Sequence, residues 1–224
     1  VNCGLVKADN MKQAILLLSF GTPRQPSDLL PYLTSIRRGK IPTERELKVL
    51  TARYDAIGQW DNKLLQTMGE EQKKTLKSLL AIDAMYLAYL HMPNSMEQAI
   101  ESIAAAGYTS ILCIVTSPFY SMVGTGAYER KLHSILRAYP DISCEIIKSW
   151  WNRPQFFEYW RSQLMAVNPL QADTACIFSA HSVPTSTVGS YEDEVMSASN
   201  QIAKMVGLNH WYQAWQSAAP YGEW

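Results

Sequence analysis

One histidine and a few arginines carry most of the chemistry open to this sequence. His181 lies in F-S-A-H-S-V-P (178–184), directly after the apolar run 174–180. An imidazole at the carboxyl end of a buried strand can ligate a metal ion or accept a proton near neutral pH. A loop histidine bonded to backbone is the structural alternative. Arg37, Arg38 and Lys40 come from I-R-R-G-K, and Arg53 from A-R-Y-D-A-I-G. Guanidinium forks suit carboxylates, and a solvated helix face is the plainer explanation of the same cluster. His91, His133 and His210 read as surface or packing residues. There is no H-x-x-x-H and no His/Cys cluster, which argues against a tight zinc site. G-T-G-A-Y (124–128) lacks both G-x-G-x-x-G and a P-loop lysine, so it reads as a flexible lid or turn and not as a nucleotide cradle.

The elements that must position these residues alternate. A continuous apolar run at 14–20 reads as a central parallel strand, and the segments 84–90, 110–117, 143–150, 174–180 and 211–215 read as further strands. Helical patterns fall at 27–39, capped by Ser27, and at 42–58, where Thr43 and Glu46 form a capping box. Leu47, Leu50 and Tyr54 line one side of that second helix. Further helical patterns cover 67–80, 95–107, 128–139, 154–167 with Pro154 in its first turn, and 190–207 with Glu192, Asp193 and Glu194 in its first turn. Strands alternating with helices predict an α/β protein with doubly wound parallel sheets. In such sheets ligands bind beyond the carboxyl ends of strands. That directs attention to the loops after Phe20, Ser117, Trp150 and Ala180. The polar link 168–173 suggests one unit over 11–168 and a second over 172–224, the latter with two strands and incomplete.

Composition narrows the function classes. Lys+Arg and Asp+Glu are both 20, and no basic stripe is present, so a nucleic-acid partner is not indicated. Seven Trp and twelve Tyr can fill a core or line a pocket for a flat apolar ligand. Cys113, Cys144 and Cys176 sit in apolar strand patterns and read as buried free thiols; Cys3 lies in the unpatterned leader. This cysteine usage predicts a reducing, cytoplasmic location. No run approaches the roughly 20 apolar residues that span a bilayer. M-K-Q-A-I-L-L-L-S-F-G reads as a first strand and not as a signal peptide, with Met11 as the natural start.

Taken in order, L-L-L-S-F-G-T-P, I-R-R-G-K with R-Y-D-A-I-G, S-P-F-Y-S, S-W-W-x-R-P-Q-F-F-E-Y-W, F-S-A-H-S-V-P and Y-Q-A-W-Q-S resemble the ferrochelatases, over residues 14–224. The similarity is to the bacterial class that metallates coproporphyrin III. It implies a chelatase-like fold of two Rossmann-like halves and insertion of Fe(II) into a porphyrin, coproporphyrin III or protoporphyrin IX, in haem biosynthesis. His181 then matches the residue that takes a pyrrole proton or ligates iron. Arg37, Arg53 and Tyr128 match residues that hold propionates. Phe20 stands where bacterial relatives often have a metal-facing tyrosine and can serve only as an apolar wall. Asn62-Lys63-Leu64 replaces a Ser-Pro-Leu that supplies a propionate contact. Iron is expected as substrate, with no nucleotide and no Fe–S cluster. The expected partners are the porphyrin and, transiently, other haem-pathway enzymes. The family's acidic catalytic residue lies beyond W-Q-S, so the sequence also admits a porphyrin- or haem-binding derivative without catalysis. A sirohydrochlorin or cobalt chelatase fits less well, because of the I-R-R-G and R-Y-D-A-I-G segments.

Overall fold

The run Ala14–Leu18 has no polar side chain, and all five residues are buried. It forms the centre of β1 (Gln13–Ser19) in the computed structural model, which describes residues 12–62, 64–167 and 174–218. A strand buried on both faces needs neighbours on both edges and cover above and below. β1 pairs in parallel with β2 (Met85–Tyr89) and with β3 (Ser110–Val115), in a four-stranded sheet of order β2-β1-β3-β4, where β4 is Ser143–Ile147. Ile15, Leu17 and Met85 form one core cluster, with Leu76, Leu112 and Ile114 packed on it. Tyr32, Tyr89 and Met92 form another. Each fully buried aliphatic side chain contributes about 1.5–3 kcal/mol relative to exposure.

The helices are α1 (Leu29–Ile36), α2 (Glu44–Ala56), α3 (Gln59–Asn62), α4 (Leu64–Leu80), α5 (Ser95–Ala105), α6 (Thr125–Leu136), α7 (Pro154–Ala166) and α8 (Tyr191–Val206). The Thr43/Glu46 capping box forms at the start of α2, and Leu47, Leu50 and Tyr54 are half-buried. Ser27 does not cap α1. Pro26–Asp28 is a 3-10 turn, and Asp28 Oδ2 instead accepts from the Arg24 backbone N–H at 2.9 Å. α4 lies close over β2 because Gly69 has no side chain: a Cβ there would sit 3.1 Å from Leu87 Cδ2 and 3.2 Å from Tyr89 Oη. G-T-G-A-Y is not a loop. Thr125 begins α6, and Gly124 is needed because a Cβ would lie 2.6 Å from Ser121 Oγ. None of the described helices is long and apolar enough to cross a membrane.

The remaining strands, β5 (Cys176–His181) and β6 (Trp211–Gln216), pair in parallel from Cys176↔Trp211 to His181↔Gln216. α8 buries Val195, Ala198, Ile202 and Val206 at helical spacing. It ends at Gly207, whose φ of 80° suits a residue without Cβ. Ser199 Oγ donates to Gln213 Oε1 at 2.8 Å, tying α8 to β6. Ile177 and its neighbour Tyr212 remain 64% and 60% exposed.

The chain forms two compact units. One joins the described residues up to Thr116 with Tyr128–Ile146; the other joins Ser117–Ala127 with Ile147 onward. α7, counted with 11–168 on sequence grounds, lies in the same compact unit as 174–218, and its side chains pack on α8 and on the 117–127 segment: Phe156 meets Phe119 edge-on at 6.0 Å. The link 168–173, Cys3, Met11, Lys63 and the side chains of Asp61 and Asn62 lie outside the described residues. Cys113 is buried, but Cys144 and Cys176 are only half-buried, and all three are free thiols. The Cys113 and Cys144 sulfurs lie 3.6 Å apart.

Candidate functional site

In the first unit, the loop after β1 bounds a cavity of about 310 Å³. Gly21 makes it possible. Its φ is 89°, and a Cβ would meet Tyr89 Cβ and Met92 Cγ, each at 3.0 Å. Thr22 and Pro23 are buried behind it. Gln59 Nε2 donates to Thr22 Oγ1 and to the Pro23 carbonyl, both at 3.2 Å, and Gln66 Nε2 donates to the Thr22 carbonyl at 3.2 Å. Gln66 Oε1 is buried without a partner in the protein. Such an orphan acceptor costs on the order of 1–3 kcal/mol unless a bound group supplies a donor.

The walls are aromatic. Phe20, Tyr32, Tyr54 and Tyr89 all line the cavity. Phe20 is 49% exposed and meets the His91 ring edge-on at 4.4 Å and Tyr32 at 6.4 Å. Burial, aided by a hydrogen bond with Tyr54 and the nearby Tyr128, pushes the Tyr32 phenol well above its ordinary range. It is a neutral hydroxyl at physiological pH. His91 Nδ1 and Ser35 Oγ are hydrogen-bonded at 2.9 Å. Desolvation, with a lesser contribution from Lys131, lowers the His91 imidazole to about 4. His91 therefore packs as an uncharged ring, as the sequence suggested.

The four residues expected to meet substrate in this unit are distributed unequally. Phe20 is a wall of the cavity. Arg37 ends α1, and its Nη1 lies 2.7 Å from Glu46 Oε2, the oxygen that also accepts from the Thr43 N–H at 2.7 Å. Those contacts, the guanidinium first, hold the Glu46 carboxyl down at about 2. Arg37 thus clamps α1 to α2. Arg38 and Gly39 adopt left-handed conformations, with φ of 54° and 92°, so I-R-R-G-K is also a helix terminus. Arg53 is exposed in the last turn of α2. Tyr128, in the first turn of α6, is only 4% exposed, and burial raises its phenol. Neither Arg37, Arg53 nor Tyr128 lines the cavity; Arg24, which the sequence pattern did not single out, does.

In the second unit, His181 is the last residue of β5 and is exposed. Its ring is oriented by backbone. Nδ1 lies 2.7 Å from the Ser182 carbonyl, which can only accept, so Nδ1 carries the proton and Nε2 keeps a lone pair. The surrounding motif holds this geometry. Ser182 N–H and Oγ both donate to the Gln216 carbonyl at 2.9 Å. Tyr191 Oη donates to the His181 carbonyl at 2.9 Å. Val183 packs with Tyr191 and Val195, and with Phe119 and Ala180 around them. Ala180, Ser182 and Val183 therefore each have a physical task, and the His181 imidazole is exposed with the Nε2 lone pair unused. Among the described residues, no group of three or more His, Cys, Asp or Glu side chains converges as a metal site.

Known proteins share this pattern. The profile of the ferrochelatase family matches residues 12–224. The coproporphyrin III ferrochelatase of Staphylococcus aureus is 29% identical over 225 residues, covering 94% of this chain and 73% of that protein. The coproporphyrin III ferrochelatase of Halalkalibacterium halodurans is 31% identical over 221 residues, covering 92% and 70%. Among solved structures, SirB from Bacillus subtilis with Fe3+ superposes with a TM-score of 0.58 at 11% identity, over 95% of this chain and 68% of that one. The sirohydrochlorin chelatase SirB from Bacillus subtilis subspecies spizizenii, in complex with cobalt, gives 0.54 at 13%, over 91% and 67%. At those identities the structural likeness establishes the chelatase-like α/β fold and nothing finer. The family assignment rests on the sequence profile and the relatives: this chain belongs to the ferrochelatase family.

Proposed function

We propose that this protein inserts Fe(II) into a porphyrin dicarboxylate or tetracarboxylate, protoporphyrin IX or coproporphyrin III, as a step of haem biosynthesis. The observation that carries the reading is the free Nε2 of His181. Insertion exchanges two pyrrole N–H protons for one Fe(II), and a base beside the ring nitrogens lowers the barrier to losing them. Nε2 has the lone pair for this, and the Nδ1–H···O=C bond to Ser182 favours that tautomer and steadies the imidazolium once the proton has arrived. The same lone pair can ligate the incoming iron, so one atom serves both halves of the exchange in turn.

The first unit supplies recognition in this reading. A porphyrin offers flat apolar faces to aromatic side chains and acid groups to guanidinium forks. Phe20 acts as an apolar wall, and Arg53, exposed, takes a propionate. Arg37 can do the same only by exchanging Glu46 for the substrate carboxylate, and Tyr128 only if its buried hydroxyl is uncovered. The two halves read from the sequence, 11–168 and 172–224, remain the proposed evolutionary units. The names of the relatives support coproporphyrin III as the first substrate to test.

The test mixes purified protein anaerobically with coproporphyrin III and Fe(II) and follows the absorption spectrum. Loss of the free-base bands with gain of the metalloporphyrin spectrum is expected. A perturbed porphyrin spectrum without metallation would overturn catalysis and leave a binding protein. No spectral change would overturn the ligand as well.

A further inference from the structure

The cavity of the first unit has one charged side chain among its described lining residues. Its walls are Phe20, Tyr32, Leu65 and Met92 with polar groups between them, and the charge is Arg24. Arg24 is exposed, and its backbone N–H is fixed by Asp28 Oδ2 at 2.9 Å. Its guanidinium has no carboxylate partner among the described residues; its influence is felt at Tyr89, whose phenol it draws down against the opposing effects of burial and Glu70. Arg37 differs, being already paired with Glu46. A lone guanidinium at an aromatic and aliphatic cavity without an acid on its walls suits a ligand with an apolar body and an anionic appendage. The volume, about 310 Å³, stands at the lower end of the roughly 300–1,000 Å³ of small-molecule sites. It takes an edge of a macrocycle with its side chains, and not the whole ring.

We infer that Arg24, at the aromatic cavity bounded by Phe20 and Tyr32, is a substrate-binding residue that anchors one ionised acid side chain of the porphyrin. The assignment rests on the porphyrin reading above and adds to it a residue outside the I-R-R-G and R-Y-D-A-I-G segments.

The experiment compares the wild type with Arg24→Gln and Arg24→Lys, titrating each with coproporphyrin III and with its methyl ester in the same detergent-containing buffer. Arg24→Gln should weaken binding of the acid about tenfold or more, the worth of a charge-assisted hydrogen bond. Binding of the ester should be unchanged. Arg24→Lys should recover part of the loss, because it restores charge without the fork. Equal affinity of wild type and Arg24→Gln for the acid would overturn the anchor while leaving the porphyrin reading intact. Equal weakening for acid and ester would also overturn it, by showing that Arg24 only shapes the cavity. Failure of the wild type to bind either porphyrin would overturn both. Arg24 is exposed, so the variants should unfold at the wild-type temperature, which a melting curve checks.

Discussion

In the first unit, the groups around the cavity are held by many independent constraints. A Cβ on Gly21 would lie 3.0 Å from Tyr89 Cβ and Met92 Cγ, two glutamines clamp the loop at 3.2 Å, and Phe20 is braced by Tyr32 and His91. Beneath it the central strand is fully covered. In the second unit, the reactive group stands in the open. His181 ends a two-stranded sheet whose other exposed positions include Ile177 and Tyr212, and its ring is oriented by one hydrogen bond to its neighbour's carbonyl. On the proposed reading the difference matches two tasks. Recognition of a rigid ring needs a preformed shape, whereas proton and metal exchange needs a lone pair that solvent and iron can reach.

That contrast is broken most directly at His181. His181→Ala should lower the metallation rate by about 10²-fold or more, the range for loss of a positioned base. Porphyrin binding in the first unit should persist, and stability should change by less than about 0.5 kcal/mol, as for other exposed positions. An unchanged rate in the spectral assay would make the histidine structural. Next in size is Leu16→Ala. Leu16 is fully buried in β1, so the expected loss is about 2–5 kcal/mol in urea unfolding. Ile177→Ala, in the exposed face of β5, should stay within about 0.5 kcal/mol. Similar losses at the two positions would erase the distinction between a covered and an open sheet.

Tyr191→Phe probes the support behind His181. It removes the donor to the His181 carbonyl without emptying the core, and should cost about 0.5–1.5 kcal/mol. The metallation rate should fall with little change in KM, because the ring loses alignment and not substrate contacts. A change in KM alone would contradict the proposed role. A further effect, on pH dependence, concerns His91. Its folded-state value is about 4 against an ordinary 6.5, so between those values the unfolded chain carries more protons. Stability therefore falls as pH drops from about 6.5 to about 4 and is unaffected by this group outside that window. His91→Asn should flatten the part of the slope measured between pH 7 and 4.5; an identical slope would place the titration elsewhere.

Much of the architecture was legible from residue pattern. All six strand patterns form strands, and the unbroken apolar run 14–18 lies in the middle of its sheet with both faces covered. The Thr43/Glu46 box forms because its partners are three residues apart, a distance the helix itself sets. The position of His181 at a strand end was legible because it directly follows an apolar run. What misled was local chemistry with a tertiary answer. Ser27 has the right type for a cap, but it lies inside a 3-10 turn and α1 begins without a side-chain cap. G-T-G-A-Y looks mobile, yet Thr125 is buried and its hydroxyl donates to the Phe119 carbonyl at 2.9 Å, which starts a helix. Arg24 carried no signal, since nothing in G-T-P-R distinguishes a cavity wall from a solvated loop.

By itself the sequence determined the order of strands and helices and the family, and it singled out the imidazole, His181, on which the proposed proton exchange rests. These depend on periodicities and on short-range geometry that a chain encodes locally. The tertiary structure decided which guanidinium is engaged and which is available. Arg37 and Glu46 are nine residues apart and meet because α1 and α2 fold against each other; Arg24 reaches a cavity whose walls come from β1, α1, α2, α4 and the residues after β2. Partnering of charges and enclosure of space arise from contacts between distant segments, and no spacing along the chain specifies them.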